Sequence, residues 1–171
     1  TVEEAERMEL PPHEKLAVLT QTTLSVEEVQ RILTVLVRRF PHLETPKKED
    51  IGYATTNRQA AVRQLAPLCD LVLVIGSQTS SNSNRLREVA ASLGVEAHLI
   101  MGPHEVRPEW KSDYPVVGVT SGASTPEHLV ENVVGELLVG QPTVPVLTHE
   151  AIEEDVRFIP PRDLIQLALA K

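Results

Sequence analysis

Three times in this chain a short aliphatic run passes straight into a loop crowded with hydroxyl and amide side chains, and straight out into an amphipathic helix. The loops read Thr20-Gln21-Thr22-Thr23, Ser77-Gln78-Thr79-Ser80-Ser81-Asn82-Ser83 and Ser121-Gly122-Ala123-Ser124-Thr125. Strands that alternate with helices need crossover connections, and so a parallel sheet with helices on its faces. Ligands of such sheets lie beyond the carboxyl ends of the strands, where all three loops fall. A helix requires only one such side chain as its N-cap, yet these loops supply three to seven each. Helix N-termini also offer unpaired N–H groups and a partial positive charge, which suit phosphate above all. One such loop reads as a cap. Three at equivalent positions point to a phosphate or diphosphate site assembled from several strand-to-helix junctions.

The rest of the chain fits that frame. Residues 2–9 read as the end of a helix closed by Pro11-Pro12, and Lys15–Leu19 as a buried strand. Ser25 and Glu28 have the spacing of a reciprocal capping box. The helix behind them lines up Val29, Ile32, Leu33, Leu36, Val37 and Phe40, and Pro41 ends it. Thr45–Asp50 is polar and Pro-containing, a candidate linker. Ile51–Ala54 leads to Thr55-Thr56-Asn57, which reads as a fourth capped helix start, with Val62, Leu65 and Ala66 on the helix that follows. Leu71–Ile75 is aliphatic throughout, the pattern of a parallel strand covered on both faces. A helix with Leu86, Val89, Ala90 and Leu93 inward stops at Gly94, and Val95–Ile100 and Val116–Thr120 are further strands. The last helix has Pro126 in its first turn and a stripe of Leu129, Val130, Val133, Val134 and Leu137. The tail holds a short strand, Val156–Ile159, and an apolar helix, Leu164–Ala170.

Composition removes whole classes of function. Aromatic residues are 3% of the 171, which starves base stacking and aromatic cages. The net charge of −8, with no basic cluster larger than Lys47-Lys48 or Arg38-Arg39, argues against a nucleic-acid partner. An anion site here must therefore be local, built of dipoles and hydroxyls. Cys69 is the single cysteine; it allows no internal disulfide or multi-cysteine metal site and reads as a small apolar filler. The six histidines show no metal-ligand spacing, and His128 is notable only for its place in the first turn after the third loop. No apolar run reaches the length of a membrane span, so a cytoplasmic protein without a membrane partner is expected.

Four segments in order, Thr20-Gln21-Thr22-Thr23-Leu24-Ser25-Val26, Tyr53-Ala54-Thr55-Thr56-Asn57-Arg58-Gln59, Ser80-Ser81-Asn82-Ser83-Asn84-Arg85-Leu86 and Gly122-Ala123-Ser124, closely resemble the C-terminal half of the 4-hydroxy-3-methylbut-2-enyl diphosphate reductase (LytB) family. The resemblance covers about residues 14–160. It implies an oxidoreductase of the non-mevalonate isoprenoid pathway that reduces an allylic diphosphate at a 4Fe-4S cluster held by three cysteines, amid three similar α/β lobes. It also implies that Thr22, Ser80, Ser81, Asn82 and Ser124 bind substrate, mostly around the diphosphate.

The same resemblance marks departures. The family's third cluster cysteine stands directly before the Tyr-Ala-Thr-Thr-Asn-Arg-Gln motif, where this chain has Gly52. Glycine offers no thiolate, and Cys69 lies beyond an intervening helix. The family's other two cysteines, its substrate-binding histidines and its proton-donating glutamate belong to the N-terminal half. The chain opens at Thr1 without an initiator methionine, which points to truncation or processing. The expectation is thus an α/β protein of parallel sheet lobes flanked by helices, one lobe complete and a second partial. Residues 1–48 would be the C-terminal part of a middle lobe, 49–140 a complete C-terminal lobe and 141–171 a tail. Its function would be the diphosphate-binding half of the reductase site, with no catalytic residue, metal ligand or cofactor of its own. It would be silent without the N-terminal half or a redox partner. The other reading is a non-catalytic phosphate-ligand binding module or an interaction scaffold derived from that lobe.

Overall fold

The computed structural model describes residues 1–10, 15–46, 50–141 and 143–149. The tail elements expected at Val156–Ile159 and Leu164–Ala170 lie outside them. Two parallel sheets account for the strands described.

The first sheet pairs β1 (Leu16–Ala17) with β2 (Leu43–Glu44), Leu16 opposite Leu43 and Ala17 opposite Glu44. Helix α1 (Val2–Arg7) lies against α2 (Val26–Arg39), and their shared core is Ala5, Val35 and Leu36, flanked by Ile32, Phe40 and Leu43. Two expectations change here. The strand expected over Lys15–Leu19 is only two residues long and no more than half-buried, and Leu19 is 85% exposed. On α2 it is Val35 that turns inward, while Val37 faces solvent. The site of contact with α1 decides this, because α1 covers one flank of the α2 stripe that the sequence period leaves ambiguous.

The second sheet has the order β4-β3-β5, all parallel. Its centre is β3 (Leu71–Ile75), with β4 (Glu96–Ile100) on one side and β5 (Val117–Ser121) on the other. All five β3 side chains are fully buried, each worth about 1.5–3 kcal/mol of transfer from water. Alternation splits them between two cores. Val72 and Val74 meet Val62 and Ala66, at the end of α3 (Tyr53–Leu65), and Leu86, Val89 and Ala90 of α4 (Ser81–Ser92). Leu71, Leu73 and Ile75 meet Ile100, Trp110 of α5 (Glu109–Ser112) and Val133 of α6 (Glu127–Leu138). The sheet is thus covered on both faces, as its aliphatic centre requires.

Helix boundaries differ from expectation in three places. Helix α3 begins at Tyr53 with Gly52 as its N-cap, so Thr55, Thr56 and Asn57 lie within its first turns and are not a capping loop. Pro126 is the N-cap of α6 and not part of its first turn. Leu93 caps α4 at its C-terminus and is 45% exposed instead of facing the core. Gly94 behind it has φ +84°, with open space where a side chain would begin. A Gly94→Ala substitution should cost about 1 kcal/mol from backbone strain alone, read as a drop in Tm of roughly 2–4 °C.

Candidate functional site

The three polar loops leave the carboxyl ends of β1, β3 and β5, as a parallel sheet dictates. Because Ile75 pairs with Ser121, the second and third loops start from adjacent strand ends. They are also fastened to each other. The Gly122 N–H donates to the Ile75 carbonyl (2.9 Å), and the Thr125 hydroxyl donates to the same oxygen (2.9 Å). Ser83, 1% exposed, puts its hydroxymethyl into a slot between Gly76 and Gly122. A Cβ at either glycine would overlap the Ser83 Oγ.

The second loop is largely self-satisfied. Ser80 is the N-cap of α4; its Oγ accepts from the Ser83 N–H (3.2 Å) and from the Ser83 hydroxyl (3.0 Å). The Asn84 amide donates to the carbonyls of Gln78 (2.7 Å) and Ser80 (3.0 Å). Asn82 is the exception. It is 8% exposed, and neither its Oδ1 nor its Nδ2 has a hydrogen-bond partner. An amide buried in that state costs stability of order 1–3 kcal/mol.

The first loop is held by α3. The Gly52 N–H donates to the Thr22 carbonyl (3.0 Å), and the Thr20 N–H donates to the Asp50 carboxylate (3.1 Å). Gln59, wholly buried, donates from Nε2 to the Leu24 carbonyl (2.8 Å) and accepts the Val26 N–H at Oε1 (3.2 Å). Arg58 donates to the Ser121 carbonyl (2.9 Å) and hydroxyl (3.4 Å), at the root of the third loop. The Ser25 hydroxyl accepts the Glu28 N–H (3.4 Å), but the reciprocal half of the expected capping box is missing. The Glu28 carboxylate turns to Arg85 of α4 instead (3.2 Å), and Glu27 to Arg63 of α3 (2.8 Å). Such half-exposed pairs are worth at most about 1 kcal/mol; their value is in orienting α2 against α3 and α4.

Of the five residues singled out from sequence, Ser80, Ser81 and Asn82 share the start of α4, and Ser124 sits exposed on the third loop that Ser83 and Thr125 tie to it. Thr22 is exposed on the first loop, reached through α3. A cavity of about 260 Å³ opens between that loop and α4, lined by Gln21, Thr23, Ser81, Asn84 and Arg85 among others. It adjoins Asn82 in sequence without including it among its walls. The Thr23 and Thr56 hydroxyls are also buried without partners. Sequence reasoning missed Arg58 and Gln59 as ties between loops. The signal was there for Gln59: Thr55, Gln59, Val62 and Ala66 form the buried stripe of α3, and a long amide on a core stripe needs a polar task.

Cys69 is half-buried behind α3, its thiol donating to the Leu65 carbonyl (3.3 Å) and its Sγ 2.7 Å from where a Cβ on Gly118 would sit. Burial, reinforced by Asp70, pushes its pKa up, away from the thiolate. The 13-residue α3 separates it from Gly52, about 20 Å of helix.

These features define a parallel α/β protein with a polar, anion-suited cluster of loops at the carboxyl edge of its sheet. No helix among the described residues is long and apolar enough to cross a membrane. The family model described as LytB protein matches residues 1–138, and the chain belongs to that family. It is 48% identical over 165 residues to 4-hydroxy-3-methylbut-2-enyl diphosphate reductase 2 of Burkholderia mallei, covering 96% of this chain and 50% of that one. It is 46% identical to the reductase of Haemophilus ducreyi, covering 96% and 52%. The solved structure of the E-1-hydroxy-2-methyl-but-2-enyl-4-diphosphate reductase of Plasmodium falciparum superposes with a TM-score of 0.84 at 32% identity, over 99% of this chain and 54% of that one. The chain therefore spans about half the length of the relatives it matches.

Proposed function

We propose that these residues form the diphosphate-binding half of a 4-hydroxy-3-methylbut-2-enyl diphosphate reductase site, in non-mevalonate isoprenoid biosynthesis. The ligand is an allylic diphosphate or a pyrophosphate-like anion. The observation that carries this reading is Asn82, a buried amide with both polar atoms unpartnered at the start of the 12-residue α4. There its Nδ2 can donate to a phosphate oxygen, and the helix dipole favours the negative charge. Thr22, Ser80, Ser81 and Ser124 complete the grip from the neighbouring junctions. Residues 1–48 belong to a middle lobe, 49–140 form the C-terminal lobe, and 141–171 are its tail; the setting is the cytoplasm.

The residues of this chain do not fit the 4Fe-4S cluster that the resemblance implies. Its one cysteine is held as a thiol behind α3. Gly52 has room for a side chain, a Cβ there lying 3.8 Å from the Thr22 carbonyl oxygen and 3.9 Å from the Thr55 Oγ1, but it supplies no ligand. On this reading the redox half comes from an N-terminal half or a partner, and the chain alone does not turn over substrate.

Titration of the full chain with pyrophosphate and with an allylic diphosphate tests the binding half. At about ten times Kd, Tm should rise by roughly 3–6 °C; no shift and no heat of binding would overturn it. Anaerobic treatment with iron and sulfide tests the other half, where stable cluster absorbance with reductase turnover from this chain alone is the contrary result.

A further inference from the structure

We infer that Arg58 and Gln59, neighbours on α3, are positioning residues that fix the spacing of the first and third polar loops across the phosphate site; this rests on the reading above. Gln59 is 0% exposed and spends both ends of its amide on the backbone around Ser25, at the Leu24 carbonyl and the Val26 N–H. A core packing role alone would be filled by leucine at no polar cost, and would leave both of those backbone groups unpaired. Arg58, one residue earlier and so about 100° round the helix, reaches a different loop, at the Ser121 carbonyl and hydroxyl. One rigid helix therefore holds two loops from adjacent rungs, and its Gly52 N–H holds the first loop a second time through Thr22. The first loop needs such a hold, because β1 anchors it through a ladder of only two residues. Among the described residues no carboxylate pairs with Arg58, so its charge stays available beside the loops in a chain of net charge −8.

Calorimetric titration of the full chain with pyrophosphate, combined with amide hydrogen exchange, tests this. Gln59→Leu should weaken pyrophosphate about tenfold and speed exchange in residues 20–26 while 121–125 stay protected. Arg58→Met should weaken it similarly and speed exchange in 121–125 only; it also stands as the test if Gln59→Leu does not fold. Gln59→Glu carries a signature that a packing role would lack. Desolvation raises the pKa of its buried carboxyl, so as pH falls it should take up a proton, regain the donor to the Leu24 carbonyl, and recover affinity relative to the parent chain at the same pH. Folded variants that bind within twofold of the parent, or that speed exchange uniformly, would overturn the inference. A parent chain that binds no pyrophosphate would instead overturn the reading under Proposed function, and the loop-selective exchange would still decide the positioning role.

Discussion

A single methyl group at Gly76 should destabilise this protein by about 3 kcal/mol and lower Tm by roughly 6–12 °C. Neither Gly76 nor Gly122 has a positive φ, so both are glycine for want of space. An alanine Cβ at 76 would sit 2.8 Å from the Ser83 Cβ and overlap its Oγ; one at 122 would overlap the Oγ but stand 3.5 Å from the Cβ. This difference gives the prediction its edge. Ser83→Ala removes the hydroxyl and should restore most of the stability lost in Gly122→Ala. It should restore little in Gly76→Ala, where the Cβ clash remains. Urea unfolding of the two double variants against their parents, at unchanged m, reads the contrast directly. Equal rescue of both would mean that the slot closes on something other than Ser83.

Asn82→Ala should separate stability from binding. Its amide is buried and unpartnered, so its removal relieves the fold of an uncompensated desolvation cost, and alanine is the better helix former. Stability should hold or rise by about 1 kcal/mol. Pyrophosphate affinity should fall by roughly thirtyfold, the loss of a hydrogen bond to a charged group of about 2 kcal/mol. The same pair of measurements, thermal unfolding and calorimetric titration, decides it. A destabilised variant with unchanged affinity would assign Asn82 to the scaffold and remove the main support for the diphosphate reading.

How much of this was legible follows from how local each signal is. The aliphatic run Leu71–Ile75 reads directly as a doubly covered strand, since no partner is needed to see that both faces are apolar. The stop at Gly94 is equally local. The α3 start is not: Gly52 offers no side-chain cap, and the turn-like Thr55-Thr56-Asn57 lies inside the helix because Thr55 is needed on its buried stripe. The spacing of Ser25 and Glu28 is right for a capping box, yet Arg85, 57 residues away, takes the carboxylate. Val35 replaces Val37 in the core for the same kind of reason, a contact made by another helix. For the candidate site, sequence picked out the hydroxyl and amide side chains, whereas the bonds that gather their loops, from Arg58, Gln59, Gly122 and Thr125, are long-range and carry no spacing rule.

The position of β3 at the centre of its sheet has a consequence for the nascent chain. As the polypeptide leaves the ribosome, Leu71–Ile75 emerges with neither neighbour yet made, and its β5 partner follows 46 residues later. For that interval the cell holds a five-residue, uncharged, β-prone segment of the kind that recruits copies of itself. Asp70 sits at its threshold as a gatekeeper charge. Once β5 arrives, the same carboxylate accepts the Val116 N–H (2.9 Å) and so helps to set the register of the strand whose absence it guarded. A change at Asp70 would thus be felt first in yield and solubility during synthesis, before any defect could be seen in the finished fold.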